Sequence, residues 1–354
     1  MALLDGIVSR RIETSRLAVS LLERAGDPAG GTPVVLIHGN LSSSLFWQET
    51  MLALPAGYRV LAPDLRGFGD TDPLPVDATR GLRDFSDDLA ATLAALGIEA
   101  AHLVGWSMGG GVVMQYALEH PALSLALQAP VSPYGFGGTA GPEGVRLTND
   151  DAGCGGGGVH PDFVARLAAG DRTEAAPTSP LAVYRAAYVH AGFRSEHEDI
   201  WLDSMLSSRT GVDHYPGDSA ASEHWPGFAA GTRGVTNAMA PGHFNAGGLV
   251  GLEDKPDILW IRGEADAIVS DASAFDINCL GQLGAVPGWP GAEAAPAQPM
   301  IAQTRAVLDM YRANGGRYRE VVLENCGHSP HLEYPEQFLA ALTDHIAGTC
   351  RRAG

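Results

Sequence analysis

Lysine is almost missing from this sequence. Lys255 is the single lysine among 23 basic residues, and 41 acidic residues bring the formal charge to −18. Such a surface repels phosphate backbones and anionic headgroups, so neither nucleic acid nor a membrane is an expected partner. The acidity reads first as a solubility feature. Cysteine is scarce and scattered: Cys154, Cys279, Cys326 and Cys350 form no CxxC pair and no zinc spacing. A disulfide framework is not expected in a chain this large. Cys326 reads as a small buried filler before a redox centre. No run approaches the roughly 18 apolar residues that a membrane helix needs. The N-terminal MALLDGIVSRR has no basic region ahead of its short apolar run, which Asp5 interrupts. It is a poor export signal, so the expected location is cytoplasmic. No internal repeat is visible.

What is present is ordinary for a protein with a large core. Hydrophobic residues make up 45% and charged residues 18% of 354 positions, which argues against disorder. The length suits one large domain, or a domain with a substantial insertion.

Apolar runs alternate with helical periods. Strands are predicted over Leu17–Glu23, Val34–Ile37, Tyr58–Ala62, His102–Gly105, Leu123–Ala129, Ile258–Ile261 and Glu320–Leu323. Helices are predicted over Phe85–Leu96, Met108–Leu118 and Pro335–Ile346. Continuous apolar runs suit strands covered on both faces. The alternation predicts an α/β fold with a mostly parallel central sheet and helices on both faces. From about Ser132 to Leu249 the rhythm breaks. That stretch holds a Gly-rich segment, 155–158, and helical patterns near Phe163–Ala169, Leu181–His190 and Glu198–Leu206. It is read as a helical cap over 132–249, inserted in a core of 1–131 and 250–354. A second irregular stretch, Ser270–Pro299, is either a functional loop or a surface insertion.

Four motifs carry chemistry, each just after a predicted strand. Gly105-Trp106-Ser107-Met108-Gly109 is a GxSxG turn between a strand and a helix. Glycines there allow a turn tight enough to project a serine hydroxyl, with free N–H groups of a helix start behind it. Ser107 is the candidate nucleophile. Val34–Ile37 runs into His38-Gly39-Asn40, a loop that can supply a second anion-binding N–H; Asn40 and Met108 are the candidate oxyanion donors. His38 is read as structural. Gly327-His328 follows the strand run ending at Leu323, and His328 is the candidate base, with His331 as rival. Gly263-Glu264-Ala265-Asp266 follows another strand, and Asp266 is the candidate orienting acid, with Glu264 and Asp271 as rivals.

These motifs, in the order Ser107, Asp266, His328, resemble the α/β-hydrolase superfamily. The sequence looks most like its capped esterases, C–C bond hydrolases and cofactor-free haloperoxidases or perhydrolases. Asp64-Leu65-Arg66-Gly67-Phe68-Gly69-Asp70-Thr71 and Glu333, Pro335 and Phe338 match the same pattern. The likeness covers Leu17 to Pro130 and Asp257 to Ala347, and neither insertion. It implies the α/β-hydrolase fold and ester cleavage by a Ser-His-Asp triad. Ser107 stands where dehalogenases and epoxide hydrolases of this superfamily carry aspartate, so an acyl-enzyme is implied. The loop after His38 lacks the Gly-Gly-Gly run of many lipases. It also lacks the glycine-rich loop associated with C–C hydrolases. The expected partner is a small-molecule ester, and no metal or organic cofactor is expected. Trp106, Tyr134 and Phe136 are candidate substrate-binding residues, with Trp201 and Trp225 as further candidates for the pocket lining. A lactonase, C–C hydrolase or perhydrolase would use the same residues. A ligand receptor that keeps the triad is the reading outside enzymes.

Overall fold

In the computed structural model, which describes residues 2–353, eight strands form one sheet. They are β1 (Ile7–Glu13), β2 (Ala18–Arg24), β3 (Thr32–Ile37), β4 (Tyr58–Pro63), β5 (His102–Trp106), β6 (Ser124–Gln128), β7 (Asp257–Gly263) and β8 (Tyr318–Leu323). Their order across the sheet is β1-β2-β4-β3-β5-β6-β7-β8. The pairs β1/β2 and β2/β4 are antiparallel, and every later pair is parallel. Helices α1 (Gln48–Ala53), α2 (Arg83–Ala95) and α3 (Met108–Ala117) precede the segment that joins β6 to β7. Within it lie α4 (Pro161–Ala168), α5 (Pro180–Val183) and α6 (Glu198–Leu206). After it come α7 (Ile277–Gln282), α8 (Met300–Ala313), α9 (Pro330–Glu333) and α10 (Pro335–Ala353).

The two-residue period of the strands divides the core in two. Val34, Leu36, Val104 and Trp106 point to one apolar cluster, which α10 closes with Phe338, Leu342 and Ile346. Val35, Ile37 and Leu103 point to the other, which α2, α3 and α8 close with Phe85, Val112 and Leu308. Every residue of β5 and β6 is buried, which explains why these strands read as unbroken apolar runs.

Two elements differ from expectation. β1 was not predicted, because only Ile7 of its seven residues is buried; an edge strand wet along most of its length leaves no apolar alternation to read. The expected helix over Leu181–His190 is instead a short α5 followed by a π-helical turn at Tyr184–Tyr188. The Ser270–Pro299 stretch contains α7. Among the described residues, no helix is long and apolar enough to cross a membrane.

The turn after β4 is anchored by charge. Arg66 donates to both oxygens of Asp88, at 2.6 and 2.8 Å, and to the Pro75 carbonyl at 2.8 Å. Both side chains are buried, and Asp84 and Arg16 complete the cluster. Removing one partner of a buried pair strands the other charge. Asp88→Ala should therefore lower the unfolding free energy by about 3 kcal/mol. Urea unfolding of the two proteins at neutral pH measures this, and a difference within about 0.5 kcal/mol would contradict it.

Candidate functional site

The turn from β5 into α3 places Ser107 at φ 58° and ψ −122°. Its N–H donates to the Gln128 carbonyl at 2.9 Å, and its own carbonyl accepts from Val131 N–H at 3.0 Å. Two glycines permit the approach of the neighbouring chain. A Cβ on Gly109 would meet the carbonyls at the end of β3, that of Ile37 at 2.5 Å. A Cβ on Gly39 would lie 2.9 Å from the Ser107 Cβ. The Asn40 loop therefore lies directly against Ser107. Met108 opens α3, where the first N–H groups have no partner within the helix. Among the described residues, neither the Met108 nor the Asn40 backbone N–H donates to a protein acceptor.

On the facing loops, His328 Nδ1 is 2.7 Å from Asp266 Oδ2, and both side chains are almost wholly buried. Asp266 Oδ1 accepts from the Ile268 and Val269 N–H groups at 2.8 and 3.0 Å. A carboxylate can only accept, so Nδ1 carries the proton and the Nε2 lone pair is left to act as a base. The His328 loop has two further anchors. Trp106 Nε1 donates to the His328 carbonyl at 2.8 Å. Glu333 accepts from Gly327 N–H at 3.0 Å and Ser329 N–H at 3.2 Å.

The rival residues have other surroundings. His331 is sandwiched by aromatics, 4.5 Å from Trp47 and 5.0 Å from Trp106 between ring centres, and burial pushes its pKa down to about 3. His38 Nε2 accepts from Leu65 N–H at 2.9 Å, so its Nδ1 donates to the Gly39 carbonyl at 2.8 Å. Burial holds its pKa at about 4. Asp271 caps α8 by accepting from Ile301 and Ala302 N–H groups, and Glu264 is exposed. Burial raises the Cys326 thiol far above its ordinary range, so it stays protonated.

Ser107, His328 and Asn40 line one cavity of about 330 Å³. Ser107 and His328 share it without a direct hydrogen bond, a contact that often tightens only around substrate. Phe136 reaches this cavity; Trp106 and Tyr134 do not, nor do Trp201 and Trp225. Trp106 is turned beneath the His328 loop by its indole bond, and Trp201 stacks on Phe46 at 5.2 Å. The walls come from residues that sequence pattern did not single out, including Phe163, Tyr188 and Tyr215 from the segment between β6 and β7, Ile268 from the Asp266 loop, and Ile277 and Leu280 from the Ser270–Pro299 stretch. No arginine or lysine stands among the described lining residues. The single lining carboxylate, Asp276, is occupied by the Asn278 and Gln298 N–H groups at 3.1 and 2.8 Å, and burial raises its pKa. A larger open groove of about 620 Å³, between Gly69 and Thr210, holds none of the candidate residues.

A family profile described as "alpha/beta hydrolase fold" matches residues 32–139, the span from β3 through the Ser107 turn to just beyond β6. Over those residues the chain is similar to that family, and its sheet has the α/β-hydrolase fold. It is 37% identical over 99 residues to 2-hydroxy-6-oxo-6-phenylhexa-2,4-dienoate hydrolase of Burkholderia cepacia, covering 27% of this chain and 34% of that one. It is 39% identical over 100 residues to pimeloyl-[acyl-carrier protein] methyl ester esterase of Aeromonas hydrophila, covering 28% and 36%. The chain thus spans little more than a third of the curated relatives it matches. The α/β-hydrolase fold extends further than this likeness. The esterase RhEst1 from Rhodococcus sp. ECU1013 superposes with a TM-score of 0.59 at 21% identity, over 96% of this chain and 98% of that one.

Two measurements test this geometry. Gly39→Ala should slow labelling of Ser107 by a fluorophosphonate at least about tenfold, since the added methyl drives the Asn40 loop off Ser107; an unchanged rate would refute the close approach. The second concerns pH. His38, His102 and His331 stay neutral in the fold to about pH 4, 4 and 3, but bind protons near 6.5 when unfolded. The unfolded state then holds more protons, so stability falls as pH drops from 6.5 towards those values, by about 1.4 kcal/mol per unit per histidine. Burial also raises Asp64, Asp276 and Glu49, which works in the opposite sense, but it lowers His214 as well, and the histidine losses begin near pH 6.5, above the ordinary range of the carboxyls. The urea midpoint should be lower at pH 5 than at pH 7; equal midpoints would show that these histidines charge within the fold.

Proposed function

We propose that this chain is a serine hydrolase that cleaves uncharged carboxylic esters through an acyl-enzyme. The observation that carries the reading is a serine on a strained strand-to-helix turn, sharing an apolar cavity with a histidine whose Nδ1 is bonded to a buried aspartate. His328 Nε2 takes the Ser107 proton as Oγ bonds to the ester carbon. The displaced electron pair moves to the carbonyl oxygen, which the Asn40 and Met108 N–H groups receive. Collapse expels the alkoxide, which leaves as the alcohol with the proton from His328. Water, activated by the same base, then releases the acid and restores Ser107. Asp266 keeps the imidazole in the right tautomer and stabilises its cation. Residues 132–249 are read as a cap over a core of 1–131 and 250–354, with Phe136, Phe163, Tyr188 and Tyr215 as its share of the substrate pocket.

The cavity also favours neutral esters over the dienoates named for several relatives. A dienoate brings a carboxylate. Among the described residues no arginine or lysine lines this cavity, and one carboxylate already does, so an anion left unpaired there would be costly to bury.

Hydrolysis of p-nitrophenyl butyrate should vanish in Ser107→Ala and fall about 10⁴-fold in Asp266→Asn, with both variants folded. Equal rates in wild type and Ser107→Ala would rule out this site. Against p-nitrophenyl hydrogen succinate, an anionic analogue, kcat/KM should be at least about tenfold lower than for the butyrate. A preference for the anion would return the C–C hydrolase reading.

A further inference from the structure

One short segment of the first insertion reaches both halves of the site. The turn at Tyr184–Tyr188 is π-helical, a form found disproportionately at functional sites. At its end the Tyr188 hydroxyl donates to the Asn40 carbonyl at 3.0 Å. The Tyr188 ring stands edge-on to Trp106 and His328, with centres 5.8 and 6.1 Å apart, and lines the cavity. Two residues on, the His190 N–H donates to Glu333 at 2.7 Å, the carboxylate that also holds the His328 loop.

The Asn40 loop needs such support. The next residue, Leu41, sits at φ 50°, a conformation that a branched side chain adopts only under constraint. Within the core, Ser42 Oγ holds the Gly39 carbonyl at 2.8 Å and Asp64 holds the Ser44 N–H at 2.8 Å. The Asn40 carbonyl between them is held from outside, by Tyr188. The Asn40 N–H shares its peptide plane with the Gly39 carbonyl, which Ser42 and His38 hold; fixing the Asn40 carbonyl restrains the next peptide, and the two together pin the Asn40 backbone that carries the donor.

We propose that Tyr188 is a positioning residue: by holding the Asn40 carbonyl, it completes the anchoring of the Asn40 backbone begun by Ser42 and His38 and keeps the Asn40 N–H in place for the developing oxyanion, so that this segment sets transition-state binding as well as pocket shape. This rests on reading Ser107 as the nucleophile of ester hydrolysis. A substrate that fills the cavity presses on the same ring, which ties occupancy of the pocket to the readiness of the oxyanion site.

The test is steady-state hydrolysis of p-nitrophenyl butyrate by wild type, Ser107→Ala, Tyr188→Phe and Tyr184→Phe. Tyr188→Phe keeps the ring and removes one hydrogen bond. It should lower kcat about tenfold with KM within about twofold, and weaken inhibition by butylboronic acid by the same factor. The boronate forms a tetrahedral adduct on Ser107 and so probes the oxyanion donors. Tyr184→Phe removes a neighbouring hydroxyl that has no partner, so it should match wild type. Unchanged kcat and boronate inhibition in Tyr188→Phe would overturn the inference. So would a rise in KM alone, which marks a pocket residue, or an equal loss in Tyr184→Phe, which marks general packing. If wild type shows no turnover that depends on Ser107, the esterase reading fails and this inference with it. Should Tyr188→Phe not fold, Tyr188→Met read by the same boronate titration carries the same decision.

Discussion

The Ser107 turn is the constraint around which the rest of the site is arranged. A non-glycine residue at φ 58° and ψ −122° stores about 1–3 kcal/mol of backbone strain, so its surroundings must over-determine it. They do so from several sides. The Gln128 carbonyl takes the Ser107 N–H, and Val131, Gly110 and Gly111 N–H groups donate to the Ser107 carbonyl. Those bonds tie the turn to β6, to the residues just after it and to the first turn of α3. Gly109 and Gly39 bring the end of β3 so close that no side chain fits between. The same approach that stabilises the strained turn delivers the Asn40 loop to the serine.

Three carboxylates, two of them buried and Glu333 half-buried, organise the loops around this turn, each by accepting backbone N–H groups. Asp64 takes those of Ser44 and Asp70, and shapes the segments after β3 and β4. Asp266 takes those of Ile268 and Val269 as well as His328. Glu333 takes those of Gly327, Ser329 and His190. Accepting N–H groups compensates for the burial of a negative charge. Burial still dominates at Asp64, whose pKa is raised. Loops held in this way behave as rigid parts of the scaffold, which suits a site that must present donors and a base in fixed directions.

Much of the core was legible because parallel strands covered on both faces appear as unbroken apolar runs, and β3, β4, β5 and β6 all carry that mark. The edge strand β1 was not, since its side chains face water and follow no apolar rule. Ser107, Asp266 and His328 stood out as polar residues after strands, and the structure places Ser107 and His328 on one cavity with Asp266 bonded to His328 behind it. Trp106 shows the limit of such reasoning. An aromatic beside the serine suggests a pocket wall, yet its indole N–H finds the His328 carbonyl 222 positions away and the ring turns inward. The cavity walls were hidden for a similar reason. Most of them come from two stretches with weak periodicity, 132–249 and 270–299, whose residues meet only after the chain has returned across the sheet.

The sequence by itself determined the sheet, the strained turn and the candidate residues at the strand ends, because local steric demands and the burial of both sheet faces leave their mark on consecutive residues. Only the tertiary structure decided which histidine pairs with Asp266, which aromatics meet the cavity, that no arginine or lysine stands among its described lining residues, and that Tyr188 reaches Asn40 across 148 positions. Those outcomes depend on direction and distance between remote segments, and no pattern of neighbouring residues encodes a hydrogen bond whose two ends are brought together by the fold.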